Sequence, residues 1–271
     1  MATLTQKELF DRMPRLQEEL GALIVPTLGV PIVPNPPGTV FPHVKRAMDE
    51  HLETMRRYAA EVTPLIFASQ LESVPDDAVD DRTPYWNNEY FHRGDARLAY
   101  AIVARYRPQL IIEIGCGNST RFMRRAATDF QTGTRIVCID PHPRADVGGV
   151  ADEVIEASMP TVDLRVFERL SPGDVLFMDG SHLAMNGSDC VQFFLNVLPM
   201  MPRGIWVHVH DIFLPYDYPY QLFIDCKSNE QYLLAALLLH SPEWVPVLPI
   251  YYACAQGILP HGGGSFWMRR F

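Results

Sequence analysis

The chain has 271 residues, a net charge of −9, 48% hydrophobic and 20% charged residues, and a pI near 5.4. That composition excludes a disordered chain, and the acidic balance argues against nucleic acid as a partner. The cysteines Cys116, Cys138, Cys190, Cys226 and Cys254 form no CxxC or Cys/His spacing, so neither a disulfide framework nor a zinc ribbon is expected. Met1 to Leu20 alternates charged and apolar residues, and no apolar run approaches the 18 or so residues of a membrane span. The expectation is a cytoplasmic protein with no membrane partner.

Residues 1–93 read as a helical and irregular N-terminal cap. Leu9, Met13, Leu16 and Leu20 recur at helical spacing. Pro31, Pro34, Pro36, Pro37 and Pro42 then break regular structure. A second helix is predicted from about Pro42 to Phe67, where Val44, Met48, Leu52, Met55, Ala59 and Val62 make one apolar stripe. The stripe serves either packing on the rest of the chain or a homodimer through these helices. Residues 73–84 carry four aspartates and read as a solvated loop.

Residues 94–271 alternate strand-like and helical patterns. Strands are predicted at 110–114, 135–140, 152–157, 174–179 and 204–210, with helices at 95–106, 118–129, 161–170, 187–200 and 228–240. Such alternation implies a parallel sheet with helices on both faces. Two last strands, at 244–248 and 265–270, have no helix-length segment between them and should pair antiparallel at one edge.

The first strand leads into Glu113-Ile-Gly-Cys-Gly-Asn-Ser-Thr120. A glycine pair between strand and helix lets a ligand approach the backbone closely. Asn118 and Ser119 are candidate ligand contacts, or simply caps of the helix that follows. Asp140 ends the next strand, 23 residues beyond Gly117, where a carboxylate can accept both ribose hydroxyls of a nucleoside. Thr120 stands where a dinucleotide site would have its third glycine, which argues against NAD.

A second constellation follows strands four and five. Asp179 and His182 lie in Asp179-Gly-Ser-His182, and His210-Asp211 closes strand five. Neighbouring strand ends could bring the four to one crevice, as base or metal ligands. His208, two residues before His210, faces the same side. Tyr85 to Phe91 reads as an aromatic lid or a packed joint, and Pro215 to Tyr220 as acceptor contacts.

Together, Glu113-Ile-Gly-Cys-Gly-Asn-Ser-Thr120, Cys138-Ile-Asp140, Phe177-Met-Asp-Gly-Ser-His182, His210-Asp-Ile-Phe-Leu-Pro215 and Gly263-Gly-Ser-Phe-Trp-Met-Arg269 resemble a class I S-adenosylmethionine-dependent methyltransferase. They are most similar to bacterial metal-assisted O-methyltransferases of small natural products, a resemblance to secondary metabolism. It implies an α/β, Rossmann-like sheet of order 3-2-1-4-5-7-6 with strand seven antiparallel, preceded by the N-terminal helical extension. It implies S-adenosylmethionine held by Glu113, Gly115, Gly117, Asp140, Ala157, Ser158 and Asp179. A small-molecule acceptor would meet Asp179, His182, His210 and Asp211. A divalent metal (Mg, Mn or Fe) would sit on Asp179, His210 and Asp211, although an imidazole shifts preference away from Mg²⁺. O-methylation is the expected reaction. N- or C-methylation, sulfonium cyclisation releasing methylthioadenosine, and cofactor binding without turnover stay open.

Overall fold

The computed structural model describes residues 35, 36, 38–143, 147–219, 222 and 228–271, with the backbone of a two-residue antiparallel pair, Leu23–Ile24 and Pro31–Ile32. The helix expected around Leu9 to Leu20, Cys226 and Tyr220 lie outside the described residues.

Seven strands form one sheet: β1 (Leu110–Ile114), β2 (Arg135–Ile139), β3 (Glu153–Ile155), β4 (Val175–Met178), β5 (Trp206–Val209), β6 (Trp244–Pro249) and β7 (Phe266–Arg270). Their order is 3-2-1-4-5-7-6, with β7 antiparallel to both neighbours and the other pairings parallel. This is the sheet that the sequence resemblance implied. β1 is buried along its whole length, as expected of a parallel strand covered on both faces. Period-two alternation divides its side chains between the two cores. Ile111 joins one with Phe177 and Trp206, while Ile112 and Ile114 join the other with Met178 and Val209.

The stripe predicted at 42–67 folds as two helices, α1 (Pro42–Asp49) and α2 (Leu52–Ile66). Val44, Met48, Met55, Ala59 and Val62 are all buried. α2 packs on α3 (Arg93–Tyr106) and β6, so the stripe is spent on the chain's own core. α4 (Asn118–Asp129) follows β1 as expected.

Three expectations are corrected in detail. The helix at 161–170 is two short 3-10 segments, Met159–Thr161 and Leu164–Arg169, in a stretch holding a proline and β-branched residues. The helix at 187–200 starts as α5 (Asp189–Gln192) and passes through a π-turn, Phe193–Val197, before Leu198–Met200. α6 (Gln231–His240) is as expected, but a further helix, α7 (Ile250–Ala255), separates β6 from β7. Six residues and a preceding proline gave it too little periodicity to read. No helix among the described residues is long and apolar enough to cross a membrane.

Candidate active site

The carboxyl ends of β1, β2, β4 and β5 share one edge of the sheet, and backbone bonds carry the ladder past them. Gly115 N–H donates to Ile139 O (3.0 Å), Asp179 N–H to Ile114 O (2.9 Å), and His210 N–H to Met178 O (3.0 Å). The residues just beyond the strands are therefore fixed before any side chain acts.

The glycine loop is shaped by this edge. Gly115 has φ +79°, and a Cβ there would meet Asp179 O at 1.7 Å. Only glycine fits both that conformation and that space. At Gly117 a Cβ would meet nothing within 4 Å, so the loop's outer side is clear.

Glu113, at the root of the loop, is fully buried. It accepts bonds from Ser119 Oγ (2.5 Å) and Thr120 Oγ1 (2.6 Å). Burial pushes its pKa up to about 8, against the lowering effect of the two hydroxyls. Glu113 and Ser119 thus brace the loop from beneath. Asn118 donates its Nδ2 to Tyr85 O (2.9 Å), while its Oδ1 is buried without a hydrogen bond. Asp140 accepts from Cys116 N–H (3.0 Å) through Oδ2 and from His142 N–H (2.8 Å) through Oδ1.

Ala157 lies just past β3 and lines an open groove of about 550 Å³ with Glu153, Ile155, Val162 and Arg169. Ser158, beside it, precedes a 3-10 turn. β2 and β1 separate this groove from the histidines.

The second group converges as the sequence suggested. His210 Nδ1 lies 3.5 Å from Asp179 Oδ1 and 3.6 Å from Asp211 Oδ1. His182 Nε2 lies 3.4 Å from Asp179 Oδ1 and 3.7 Å from Asp211 Oδ2. Two carboxylates and two imidazoles thus alternate around a ring. Burial opposes charge on His182, but Glu230, Asp179 and Asp211 outweigh it and raise its pKa to about 9. His210 is likewise raised, chiefly by Asp179, despite complete burial. Burial would raise Asp179, but the histidines hold it down at about 2. His182 and Asp211 both adopt positive φ, 60° and 53°. Such backbone, costing about 1–3 kcal/mol per residue, clusters at functional sites.

Two residues of this site were not anticipated. Glu230 Oε1 lies 2.5 Å from His182 Nδ1. Asp95 is fully buried, accepts from Ser265 N–H (2.7 Å), and has Oδ2 3.8 Å from His210 Nε2. Each carboxylate stands at a helix start, where acids are expected to offset the helix dipole. That reading hides them in a sequence. His208 bonds Ser265 Oγ (2.9 Å) and stacks on Phe177, behind the ring rather than in it.

Among the described residues only Glu113, Cys116 and Cys138 place three possible metal donors mutually within 4.8 Å. Contact with Cys138, then burial and the neighbouring acids, push the Cys116 thiol up, and Glu113 holds its proton at neutral pH. Cys116 Sγ donates to the Glu113 carbonyl and Cys138 Sγ to Glu113 Oε2 (3.8 Å each), so the three form a hydrogen-bonded network.

The aromatic loop is a joint that also touches the glycine loop. Trp86 stacks near Phe122 (5.0 Å) and Phe91 near His210 (5.4 Å). Past β5, Phe213, Tyr216 and Tyr251 form ring pairs at 5.1 and 5.6 Å.

Residues 112–212 match the family model described as Methyltransferase domain. No curated protein sequence matches the chain. Similar solved structures include the S-adenosylhomocysteine-bound methyltransferase PaMTH1 of Podospora anserina, at 17% identity and TM-score 0.44, covering 100% of this chain and 99% of that one. The O-methyltransferase TomG of Streptomyces achromogenes, in complex with S-adenosylmethionine, is 14% identical with TM-score 0.39 and 99% of each chain covered. An O-methyltransferase of Bacillus cereus in complex with S-adenosylhomocysteine is 15% identical with TM-score 0.39, covering 80% of this chain and 98% of that one. The methyltransferase resemblance is borne out by the domain match and by the sheet order.

Proposed function

We propose that the protein is an S-adenosylmethionine-dependent methyltransferase acting on a small molecule, with oxygen as the methylated atom. One observation carries this reading. A glycine loop with a clear outer side and the strand-terminal Asp140 share a sheet edge with a ring of two imidazoles and two carboxylates. Ligands of open parallel sheets bind along that edge.

S-adenosylmethionine supplies, when bound, a methyl carbon on a sulfonium. The chain's part is to hold and orient it and to manage the acceptor's proton. Gly117 permits close approach of a ligand to the loop. Each Asp140 oxygen accepts one backbone bond and retains a second lone pair for a ribose hydroxyl. Ala157 and Ser158 are assigned to the adenine end, Asn118 and Ser119 to the loop.

At the other end His182 or His210 takes the acceptor's proton. His182 holds a proton at neutral pH in the resting protein, so its action as a base strengthens as pH rises toward 9, and His210 is shifted in the same direction. A divalent metal fits Asp179, His210 and Asp211 by donor type. When bound it would lower the pKa of an acceptor hydroxyl. The paired rings of Phe213, Tyr216 and Tyr251, past β5, suit an acceptor bearing an apolar or aromatic group.

The test is incubation with S-adenosylmethionine and cell extract. Accumulation of S-adenosylhomocysteine supports methyl transfer. Methylthioadenosine would instead mean that the sulfonium is opened another way, and no turnover would mean a binding protein.

A further inference from the structure

Asn118 and Arg121 stand three residues apart in the first turn of α4, so they share a face of that helix. Gly117, at the N-cap, has no side chain to accept from the first-turn amides. Tyr85 ties the pair to the aromatic loop. Its carbonyl accepts from Asn88 Nδ2 (3.1 Å) and Asn118 Nδ2 (2.9 Å), and its ring centroid lies 5.8 Å from the Arg121 guanidinium.

Each of the two side chains buries a polar atom that finds no partner. Arg121 is 6% exposed, and its Nε makes no hydrogen bond. The next arginines of the same helix are spent, Arg124 on Asp152 and two carbonyls, Arg125 on Asp129, Ser73 and one carbonyl. Asp80, whose carboxyl feels the Arg121 charge, is occupied by bonds from Arg82 N–H, Thr83 N–H and Thr83 Oγ1. A guanidinium stays charged in proteins, and burying a charge without a paired partner is costly. Asn118 offers the complement. With Nδ2 on Tyr85 O, Oδ1 is the free end of its amide, and it is buried without a hydrogen bond.

Unpaired buried groups in a native fold call for a ligand or ion that pairs them. Here one is a cationic donor and the other a neutral acceptor. A carboxylate suits the first, because it can take two parallel N–H bonds from a guanidinium, and the positive end of α4 favours it further. An ammonium suits the second, because it only donates. An α-amino acid carries both groups on one carbon. S-adenosylmethionine ends in such a group, and Gly117, whose outer side is clear, adjoins Asn118.

We infer that Arg121 and Asn118 receive the amino-acid end of the cofactor, the guanidinium pairing its carboxylate and Asn118 Oδ1 its ammonium, and that Arg121 sets the preference for nucleosides bearing that group. This role rests on the proposed cofactor, and its test reads binding without turnover.

The experiment is calorimetric titration of the full chain with S-adenosylhomocysteine and, separately, with methylthioadenosine, which keeps the nucleoside and lacks the amino acid. The wild type should bind S-adenosylhomocysteine at least about 100-fold more tightly, as expected where buried polar groups would otherwise stay unpaired. Arg121→Gln should weaken S-adenosylhomocysteine by about 10- to 100-fold, the scale of losing a charged hydrogen-bond partner, and leave methylthioadenosine unchanged. Arg121→Lys, a point charge in place of the fork, should fall between; should Arg121→Gln fail to fold by circular dichroism, Arg121→Lys carries the test. Equal wild-type affinity for the two nucleosides, unchanged S-adenosylhomocysteine affinity in the variant, or an equal loss of both nucleosides would overturn this role and leave the cofactor reading standing. Binding of neither nucleoside by the wild type would overturn the cofactor reading and this role with it.

Discussion

Glu113 shows how burial decides a residue's chemistry. Its carboxyl keeps a proton to about pH 8, against 4.5 in the unfolded chain. The folded state therefore binds more protons between those values, and stability falls as pH rises from 4.5 through 8. Glu113→Gln keeps the shape and should flatten that part of a plot of melting temperature against pH; an unchanged slope would mean Glu113 is ionised. His182 acts in the same direction over a higher window. Its pKa of about 9 against 6.5 gives stability that is complete below 6.5 and lost as pH rises through 9. Asp179 has the opposite sign, contributing above 3.8 and losing its contribution as pH falls through about 2. His182→Gln, measured in chelator, should remove the loss between 6.5 and 9. A slope identical to the wild type in that window would contradict the ion-pair ring.

At the scale of elements, close approach constrains the site more than any side chain. The 262–264 glycine run passes behind the ring, and a Cβ at Gly263 would meet Asp95 Oδ1 at 2.4 Å. Gly263→Ala should push Asp95 from its place between Ser265 and His210 and lower the melting temperature, while Gly117→Ala, facing open space, should leave it nearly unchanged and weaken cofactor binding. A melting temperature equal to the wild type in Gly263→Ala would contradict that packing. α2 is tied in by Met55, which has no exposure. Met55→Ala should cost about 2–5 kcal/mol, the usual range for a buried methionine, in denaturant unfolding; under 1 kcal/mol would place the helix off the core.

The whole molecule was legible where the signal is local and repeated. The strands read as apolar runs, and Asp140 and Asp179 read as strand-terminal acids because ligand edges of parallel sheets are built that way. His182 and His210 were legible as a pair because β4 and β5 are neighbours. Glu230 and Asp95 were not. They are 48 and 115 residues in sequence from their partners His182 and His210, and those pairs exist only after α6 and α3 have docked. α7 was missed because six residues hold too little periodicity. Glu113 was legible as a member of the glycine motif, but its role in bracing the loop depends on Ser119 and Thr120 turning inward.

The central claim is that the edge bearing Gly117 and Asp140 binds S-adenosylmethionine and that the imidazole ring acts at the other end of it. Calorimetric titration of S-adenosylhomocysteine into the wild type, Asp140→Ala and His210→Ala tests it most directly. The expected result is one site in the wild type, weakened by about 2 kcal/mol in Asp140→Ala, the scale of a charged hydrogen-bond partner, and little changed in His210→Ala. No binding by the wild type, or full affinity in Asp140→Ala, would contradict it.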